Sequence, residues 1–377
     1  GNHKSDAANP YSSDLNGDGV SELLFSNWPT TTLYNGGWIY WGQGSSSNPT
    51  WTSAHRTELP TLSSHGMVTT DLNGDGLPEI IISNHRELSN WKVDSFIYWG
   101  QPGGAYGVTY TVSSRTSIST TGPVGVAVAD LNRDGRPDLI FSSWFDNTSH
   151  DVPSYIYWGQ AGGPQGLAYS ASARTELSNT GSVGIALADL NSDGYADIVF
   201  SSSRNIITYN ISSKVFLAQP GGLYGVTYTL LADLPTHYGD AVAVSDLNND
   251  NLPDIIYANT LTGTNGIYSY IYWGQSSGLH GIAYTVTART DLPGFSRKVS
   301  VADLNSDGQH DVVLQHDSTN IFWGPLPTSG TATISWTLPI TSGSRGLSLS
   351  DLNGDGRVDL LTSQSVLGGV SGRVYFH

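Results

Sequence analysis

DLNGDGVSE, residues 14–22, opens a nine-residue pattern that returns six more times along the chain. The later copies are DLNGDGLPE (71–79), DLNRDGRPD (130–138), DLNSDGYAD (189–197), DLNNDNLPD (246–254), DLNSDGQHD (303–311) and DLNGDGRVD (351–359). Successive first aspartates stand 57, 59, 59, 57, 57 and 48 residues apart. A period of this size, held across 377 residues, means an array of similar units and not one globular core. The array is expected to form a single domain over residues 1–377.

The third unit shows the plan of one repeat. GVAVAD (125–130) is a small, β-branched apolar run that ends at the nonapeptide, and DLIFS (138–142) follows it. A polar connection leads to SYIYWG (154–159), and after a Gly-rich turn Leu167 to Ala173 runs into Arg174-Thr175. Each run is bounded by Gly, Pro, Asn or Asp, as strands are, and no helical period of useful length intervenes. Each unit therefore predicts four antiparallel strands, A to D, and seven units around an axis predict an all-β, seven-bladed β-propeller. The apolar A strand belongs innermost and the nonapeptide between strands A and B. The aromatic C strands (WIYWG at 38, FIYWG at 96, YIYWG at 155 and 270, IFWG at 321) are expected to pack blade on blade through Trp41, Trp99, Trp158, Trp273 and Trp323. The fourth unit has VFLAQ (215–219) instead. Arg56, Arg115, Arg174 and Arg289 recur in strand D, where pairing with a carboxylate of the next blade is expected. The last residues, Arg373 to His377, read as strand C of the seventh unit, so its strand D has no obvious donor. Either that blade has three strands or the residues before Asn9 pair there.

The nonapeptide is rich in oxygen at alternate positions. Calcium takes oxygen ligands, and loops of this type supply them from positions 1, 3, 5, 7 and 9, with Gly at 6 for the turn. The candidate ligands are Asp14, Asn16, Asp18, Val20 and Glu22 in the first loop, and Asp71, Asn73, Asp75, Leu77 and Glu79 in the second. The third and fourth loops offer Asp130, Asn132, Asp134, Arg136, Asp138 and Asp189, Asn191, Asp193, Tyr195, Asp197. The fifth offers Asp246, Asn248, Asp250, Leu252 and Asp254, with Asn251 in place of Gly. The last two offer Asp303, Asn305, Asp307, Gln309, Asp311 and Asp351, Asn353, Asp355, Arg357, Asp359. The seventh position contributes its carbonyl in every case. No Glu stands at position 12 before a helix, so these are not EF-hands. The competing reading is seven plain Asx hairpin turns.

The formal charge of −16 has the same origin. Three carboxylates in each of seven loops account for 21 of the 32 acidic residues, and seven divalent cations would cancel all but two of the excess negative charges. Sixteen Lys and Arg with no basic patch exclude a nucleic-acid partner. No run of 18 apolar residues exists, so no membrane span is expected. There is no Cys. Gly1 to Ser5 are polar and carry no signal-peptide core; the expectation is that any such segment has been removed. Weak calcium modules work at extracellular calcium levels, which points to a secreted protein, and Asn147 and Asn210 stand in N-x-S/T sequons.

The DxNxDGxxD loops between strands A and B, repeated over the whole length, resemble the FG-GAP/VCBS repeats of integrin α-subunit propellers. Similar repeats occur in secreted bacterial and fungal proteins, including calcium-containing lectins. The resemblance implies a seven-bladed propeller with up to seven Ca²⁺ at the loops named above; it carries no substrate.

Ligand specificity is expected on the face opposite those loops, where the B–C connections are longest and least alike. Asn27, Trp28, Asn84, His85, Trp91, Trp144 and Phe145 are the candidates. An aromatic ring covers the apolar face of a pyranose while neighbouring amides bond its hydroxyls. The bland reading is that these rings cap the blades. The chain contains no GxSxG elbow, HExxH, P-loop or Cys nucleophile. The function expected from the sequence is a calcium-dependent, multivalent lectin binding carbohydrate or glycoprotein glycans. An extracellular protein-binding adhesion module is the alternative. A polysaccharide lyase or glycosidase, using acids such as Asp146 and Asp151, is the enzymatic rival.

Overall fold

The computed structural model describes residues 10–26, 36–260, 268–278, 280–316, 318–338, 344–366 and 369–375. Seven blades follow one another around a ring. Blade 3 is typical: Pro123–Ala129, Asp138–Ser143, Ser154–Tyr157 and Arg174–Leu177 pair antiparallel in that order from the axis outward. Strand alternation explains where the core sits. In blade 2, Ile80 and Ile82 face blade 1 while Ile81 and Ile97 face blade 3. In blade 3, Leu139 and Phe141 face back to blade 2, while Ile140 and Ile156 face blade 4. The hydrophobic core is thus divided into layers, one between each pair of neighbouring blades.

Three recurring contacts fix the spacing of the blades. A tryptophan at the end of strand C donates its Nε1 to a threonine of strand D: Trp41 to Thr57, Trp99 to Thr116, Trp158 to Thr175 and Trp273 to Thr290, at 2.8 to 2.9 Å. The same ring can reach the next blade. Trp41 stacks on Tyr106 at 4.5 Å and Trp158 on Tyr224 at 5.0 Å, which is the blade-on-blade packing the sequence predicts. Near the axis, a serine of strand B crosses to the next blade: Ser83 Oγ donates to the Val124 carbonyl and Ser142 Oγ to the Val183 carbonyl, both at 2.6 Å. Glycine lies at these crossings because a Cβ on Gly125 would stand 2.6 Å from the Val183 oxygen.

The strand D arginines act differently from the sequence expectation. They lie across aromatic rings of strand C in their own blade: Arg115 is 3.7 Å from the Phe96 centroid, Arg289 4.0 Å from Tyr270 and Arg174 4.2 Å from Tyr155. For Arg174 and Arg289 the carboxylate partner is two residues along the same strand, Glu176 and Asp291, and not in the next blade. The planar guanidinium favours a ring face, and the i+2 side chain lies on the same side of the strand.

Two blades depart from the pattern. Blade 5 gains a fifth strand, because Gly330–Thr331 from the C–D connection of blade 6 pairs parallel to Arg289–Pro293. Blade 7 has three strands among the described residues: Ser344–Ser350, Asp359–Val366 and Gly369–Tyr375. The ring still closes. Strand A of blade 1, Pro10–Ser13, lies beside strand A of blade 7. Leu23 and Phe25 pack against Leu352 and Leu361.

Candidate functional site

The A–B turns and the C–D turns emerge on one face of the ring. In all seven A–B loops the first aspartate curls over the turn: its Oδ2 accepts the N–H of position 6, from Gly19 at 3.0 Å in the first loop to Gly356 at 2.9 Å in the last. The aspartate at position 5 accepts the N–H of position 7, as Asp18 does from Val20 at 2.8 Å. These bonds hold the loop in the left-handed turn that Gly19 takes at φ 84° and that Asn251 takes at φ 66°.

The ninth residue, like the leucine at position 2, is buried beneath the exposed part of the loop. Glu22, Glu79, Asp138, Asp197, Asp254, Asp311 and Asp359 are all fully buried. One oxygen accepts the N–H of loop position 2 (Leu15 to Glu22, 2.6 Å; Leu131 to Asp138, 2.9 Å). The other accepts an N–H from the end of strand C (Gly159 to Asp138, 2.8 Å; Ala218 to Asp197, 2.8 Å). Burial, reinforced by the two aspartates of the same loop, pushes Glu22, Glu79, Asp138, Asp197 and Asp254 up to about 7 and raises Asp311 as well. A desolvated carboxylate facing two further carboxylates is an environment that a cation relieves. The donor set is all oxygen, as a hard cation requires. Among the described residues, no three His, Cys, Asp or Glu side chains converge closely enough to hold a metal by themselves. A cation at these loops would need the asparagine at position 3 and the carbonyl at position 7 as well. The third loop has its own internal cation, since Arg136 pairs with Asp134 at 3.1 Å.

The opposite face carries the B–C and D–A connections. Asn27 and Trp28 lie outside the described residues. Asn84 is buried, with Nδ2 donating to the Asp94 carbonyl at 2.7 Å and Oδ1 accepting from Leu62 at 3.0 Å. His85 is buried and its Nδ1 meets the Pro123 carbonyl at 2.9 Å. Trp144 is buried, with Nε1 donating to Ser203 Oγ at 2.9 Å. Trp91 and Phe145 are half-buried. The structure brings four of the candidates into one interlocked cluster: ring centroids lie 4.5 Å apart for His85 and Trp91, 5.1 Å for Trp91 and Trp144, and 5.4 Å for Trp91 and Phe145. His150 completes it, 4.6 Å from Trp144. Arg86 stands over Trp91 at 5.3 Å and Arg204 over Trp144 at 4.9 Å.

A backbone rail seats this cluster. Ser63, Gly122, Gly181 and Tyr238, one in each of four successive D–A turns, adopt φ of 47°, 48°, 53° and 53°. Their carbonyls accept the N–H of His85, Trp144, Ser203 and Thr260 at 2.9 to 3.2 Å. Beyond the rail, the B–C loops of blades 2, 3 and 4 fold into short turns with their tips in solvent. Glu87 and Asn90 exchange backbone bonds at 2.9 Å. Asp146 Oδ1 accepts from Thr148 and Ser149, and Asn205 Oδ1 accepts from Ile207 and Thr208, at 2.8 to 2.9 Å. The tip residues differ sharply in chemistry. Blade 3 presents Asn147 and Thr148, whereas blade 2 presents Leu88, 69% exposed, and blade 4 presents Ile206 and Ile207, 75% and 89% exposed. Tyr209 and, in a neighbouring D–A turn, Phe295 add partly exposed rings to this face. Sequence reasoning passed over the isoleucines; an Ile-Ile pair inside an otherwise polar loop was the available signal.

A ring of seven blades with oxygen-rich A–B loops defines the class of protein. Its repeats are FG-GAP-like repeats: residues 14–82, 246–314 and 303–362 match the model of that family. The chain is similar to the phosphatidylinositol-glycan-specific phospholipase D of Rattus norvegicus, 26% identical over 152 residues that cover 34% of this chain and 18% of that protein. The chain thus spans less than a fifth of that relative's length. Two crystal structures of BBS1N in complex with ARL6DN, one soaked with mercury and one with lead, superpose with TM-scores of 0.54 and 0.53. They are 10% identical to the chain, covering 98% and 94% of it and 92% and 88% of theirs, a likeness of fold alone. Among the described residues no helix is long and apolar enough to cross a membrane.

Proposed function

We propose that this propeller is an extracellular, calcium-loaded recognition module that binds a protein partner through the B–C face. One observation carries the reading: Asn205 clamps a turn that holds Ile206 and Ile207 almost fully in solvent. Protruding aliphatic side chains suit the apolar hot spot of a protein interface and offer nothing to sugar hydroxyls. Calcium would be held by the side-chain oxygens at loop positions 1, 3, 5 and 9 and the carbonyl at position 7. When bound, it would supply the positive charge that ties each exposed loop to its buried carboxylate. The rest of the chain needs no metal to present the recognition face, which the carbonyl rail and the turn bonds hold. The activity in the rat relative's name is not carried over, because the match covers so little of that protein. The reading here is binding without catalysis.

A carbohydrate ligand is the second reading, favoured by the half-buried Trp91 and Phe145 beside Arg86, Asn90 and Asn147. The two readings separate in one pair of measurements. Wild-type protein and an Ile206→Ser/Ile207→Ser variant are used in calcium to capture extracellular proteins, and both are applied to a glycan array. A partner retained by the wild type and lost by at least about tenfold in the variant, at unchanged melting temperature, supports the protein interface. A confined set of bound glycans, indifferent to Ile206 and Ile207 and lost with Trp91→Ala, overturns it in favour of sugar.

A further inference from the structure

Arg204 is a cation that the fold positions and does not neutralise. It follows Ser203, whose N–H is seated on the Gly181 carbonyl at 2.9 Å, and it opens the turn that lifts Ile206 and Ile207 into solvent. Its guanidinium carbon stands 4.9 Å from the Trp144 ring centroid and 5.7 Å from that of Tyr209. Nη1 reaches the Tyr209 hydroxyl at 3.5 Å. Nε is buried with no hydrogen-bond partner, while Nη2 bonds nothing in the chain and is not enclosed. Other arginines have their carboxylate: Arg136 with Asp134, Arg174 with Glu176, Arg289 with Asp291 and Arg297 with Asp240, at 2.5 to 3.7 Å. Among the described residues, none lies within ion-pair distance of Arg204. The acids of the adjoining B–C loop are engaged elsewhere. Asp146 Oδ1 accepts from the Thr148 hydroxyl at 2.7 Å, and Asp151 Oδ1 from that of Thr180 at 2.9 Å.

We propose that the protein partner presents an Asp or Glu carboxylate to Arg204 at the edge of an apolar hollow that receives Ile206 and Ile207. This rests on the protein-binding reading of the face and names the chemistry of the partner. The two anchors form one site because they share one turn. Asn205 Oδ1 accepts the N–H of Ile207 and of Thr208 at 2.8 Å, and Asn205 N–H donates to the Thr208 carbonyl at 3.0 Å, so cation and tip keep a fixed offset. A guanidinium laid against two rings has lost much of its freedom before a ligand arrives, and its flat fork of donors matches a carboxylate. An exposed ion pair is worth little by itself. Burial of the two isoleucines would exclude water beside it, and the charge attraction strengthens as the local dielectric falls. The tip then supplies area and Arg204 supplies the choice of partner. The acidity of the chain does not oppose this. Of its 32 acidic residues, 21 belong to the A–B loops on the opposite face, well beyond the screening length of about 8 Å.

The test pans a phage-displayed library of random peptides on the full chain in millimolar calcium, then measures the enriched peptides, made synthetically, against variants. Those retained by this face are expected to carry Asp or Glu beside aliphatic or aromatic residues. Their affinity should fall at least about tenfold with Arg204→Gln and with Ile206→Ser/Ile207→Ser, at unchanged melting temperature. Arg204→Glu should lose the same peptides and regain at least about tenfold when the peptide's acid is replaced by Lys, a rescue that a structural role for Arg204 would not produce. Peptides that need Ile206 and Ile207 but carry no acid, or ignore every change at Arg204, overturn the carboxylate and leave the protein-binding reading standing. A library from which no peptide sensitive to Ile206 and Ile207 is enriched overturns both. Acidic glycans retained by the wild type and lost with Arg204→Gln, with no peptide enriched, would assign the guanidinium to a sugar acid and overturn the protein partner.

Discussion

The buried ninth residue of the first six loops ties acidity to stability. With carboxylates held near 7 in the folded chain and ordinary values of 4.5 or 3.8 when exposed, the metal-free native state keeps protons that the unfolded chain has lost. The native state therefore binds more protons between about pH 4 and about pH 7, and stability falls as pH rises through that window, levelling above it. Bound calcium would reverse the sign, because binding needs the carboxylates ionised and drives protons off. In chelator, the melting temperature should fall between about pH 4 and about pH 7; in millimolar calcium the fall should vanish or invert. Scanning fluorimetry in the two conditions decides this. Superimposable pH profiles would separate these carboxylates from any metal. Arg136 marks a second residue-scale difference: its guanidinium competes with a cation for Asp134, so the third loop should bind calcium more weakly than the second, which has Leu77 there.

At the scale of one element, strand B and the small-residue turn of strand A set how closely blades approach. Gly125 has an ordinary φ, so its need is for space: an added Cβ meets the Val183 carbonyl at 2.6 Å and Ser142 Oγ at 3.0 Å. Gly125→Ala must push two blades apart or break the Ser142 bridge, and should cost about 1–3 kcal/mol in chemical denaturation. A cost under about 0.5 kcal/mol would mean the blades slide freely at this crossing. Much of this element plan was legible in the chain. The nonapeptide marks the A–B turn and the YWG run marks strand C, because both obey local rules of turn chemistry and alternation. The rings after strand B were legible as a cluster and not as a surface. Trp144 looks like a loop residue in sequence, yet the Gly122 carbonyl and Ser203, 22 and 59 residues away, draw it inward. The arginine pairing went to the wrong blade for a like reason, since sequence spacing does not tell which side of a strand a partner occupies. Whether blade 7 has three strands or four was left open by the sequence, and it pairs three among the described residues.

On the scale of the whole ring, each blade touches only its neighbours, so stability behaves as a circle of similar links. The links are not equal. The layer between blades 3 and 4 buries Ile140, Ile156, Trp158, Leu177, Phe200 and Phe216. Among the described residues, the layer between blades 7 and 1 buries Leu23, Phe25, Leu352 and Leu361. The loop face adds a common load, because its 21 carboxylates repel across one side of the ring when metal is absent. A loop held at about 100 times its Kd in calcium gains about 2.7 kcal/mol, so chelation at a few loops should lower the melting temperature by about 5 °C or more. The load is shared, but the ring should open where the link is weakest. Hydrogen exchange in chelator should therefore accelerate first over residues 359–375 and 22–25, while strands 138–143 and 197–202 stay protected. Equal acceleration in all seven blades would show that the seam is no weaker than the rest. Loss of protection beginning in blades 3 and 4 would show that loop charge, and not packing, decides where the circle breaks.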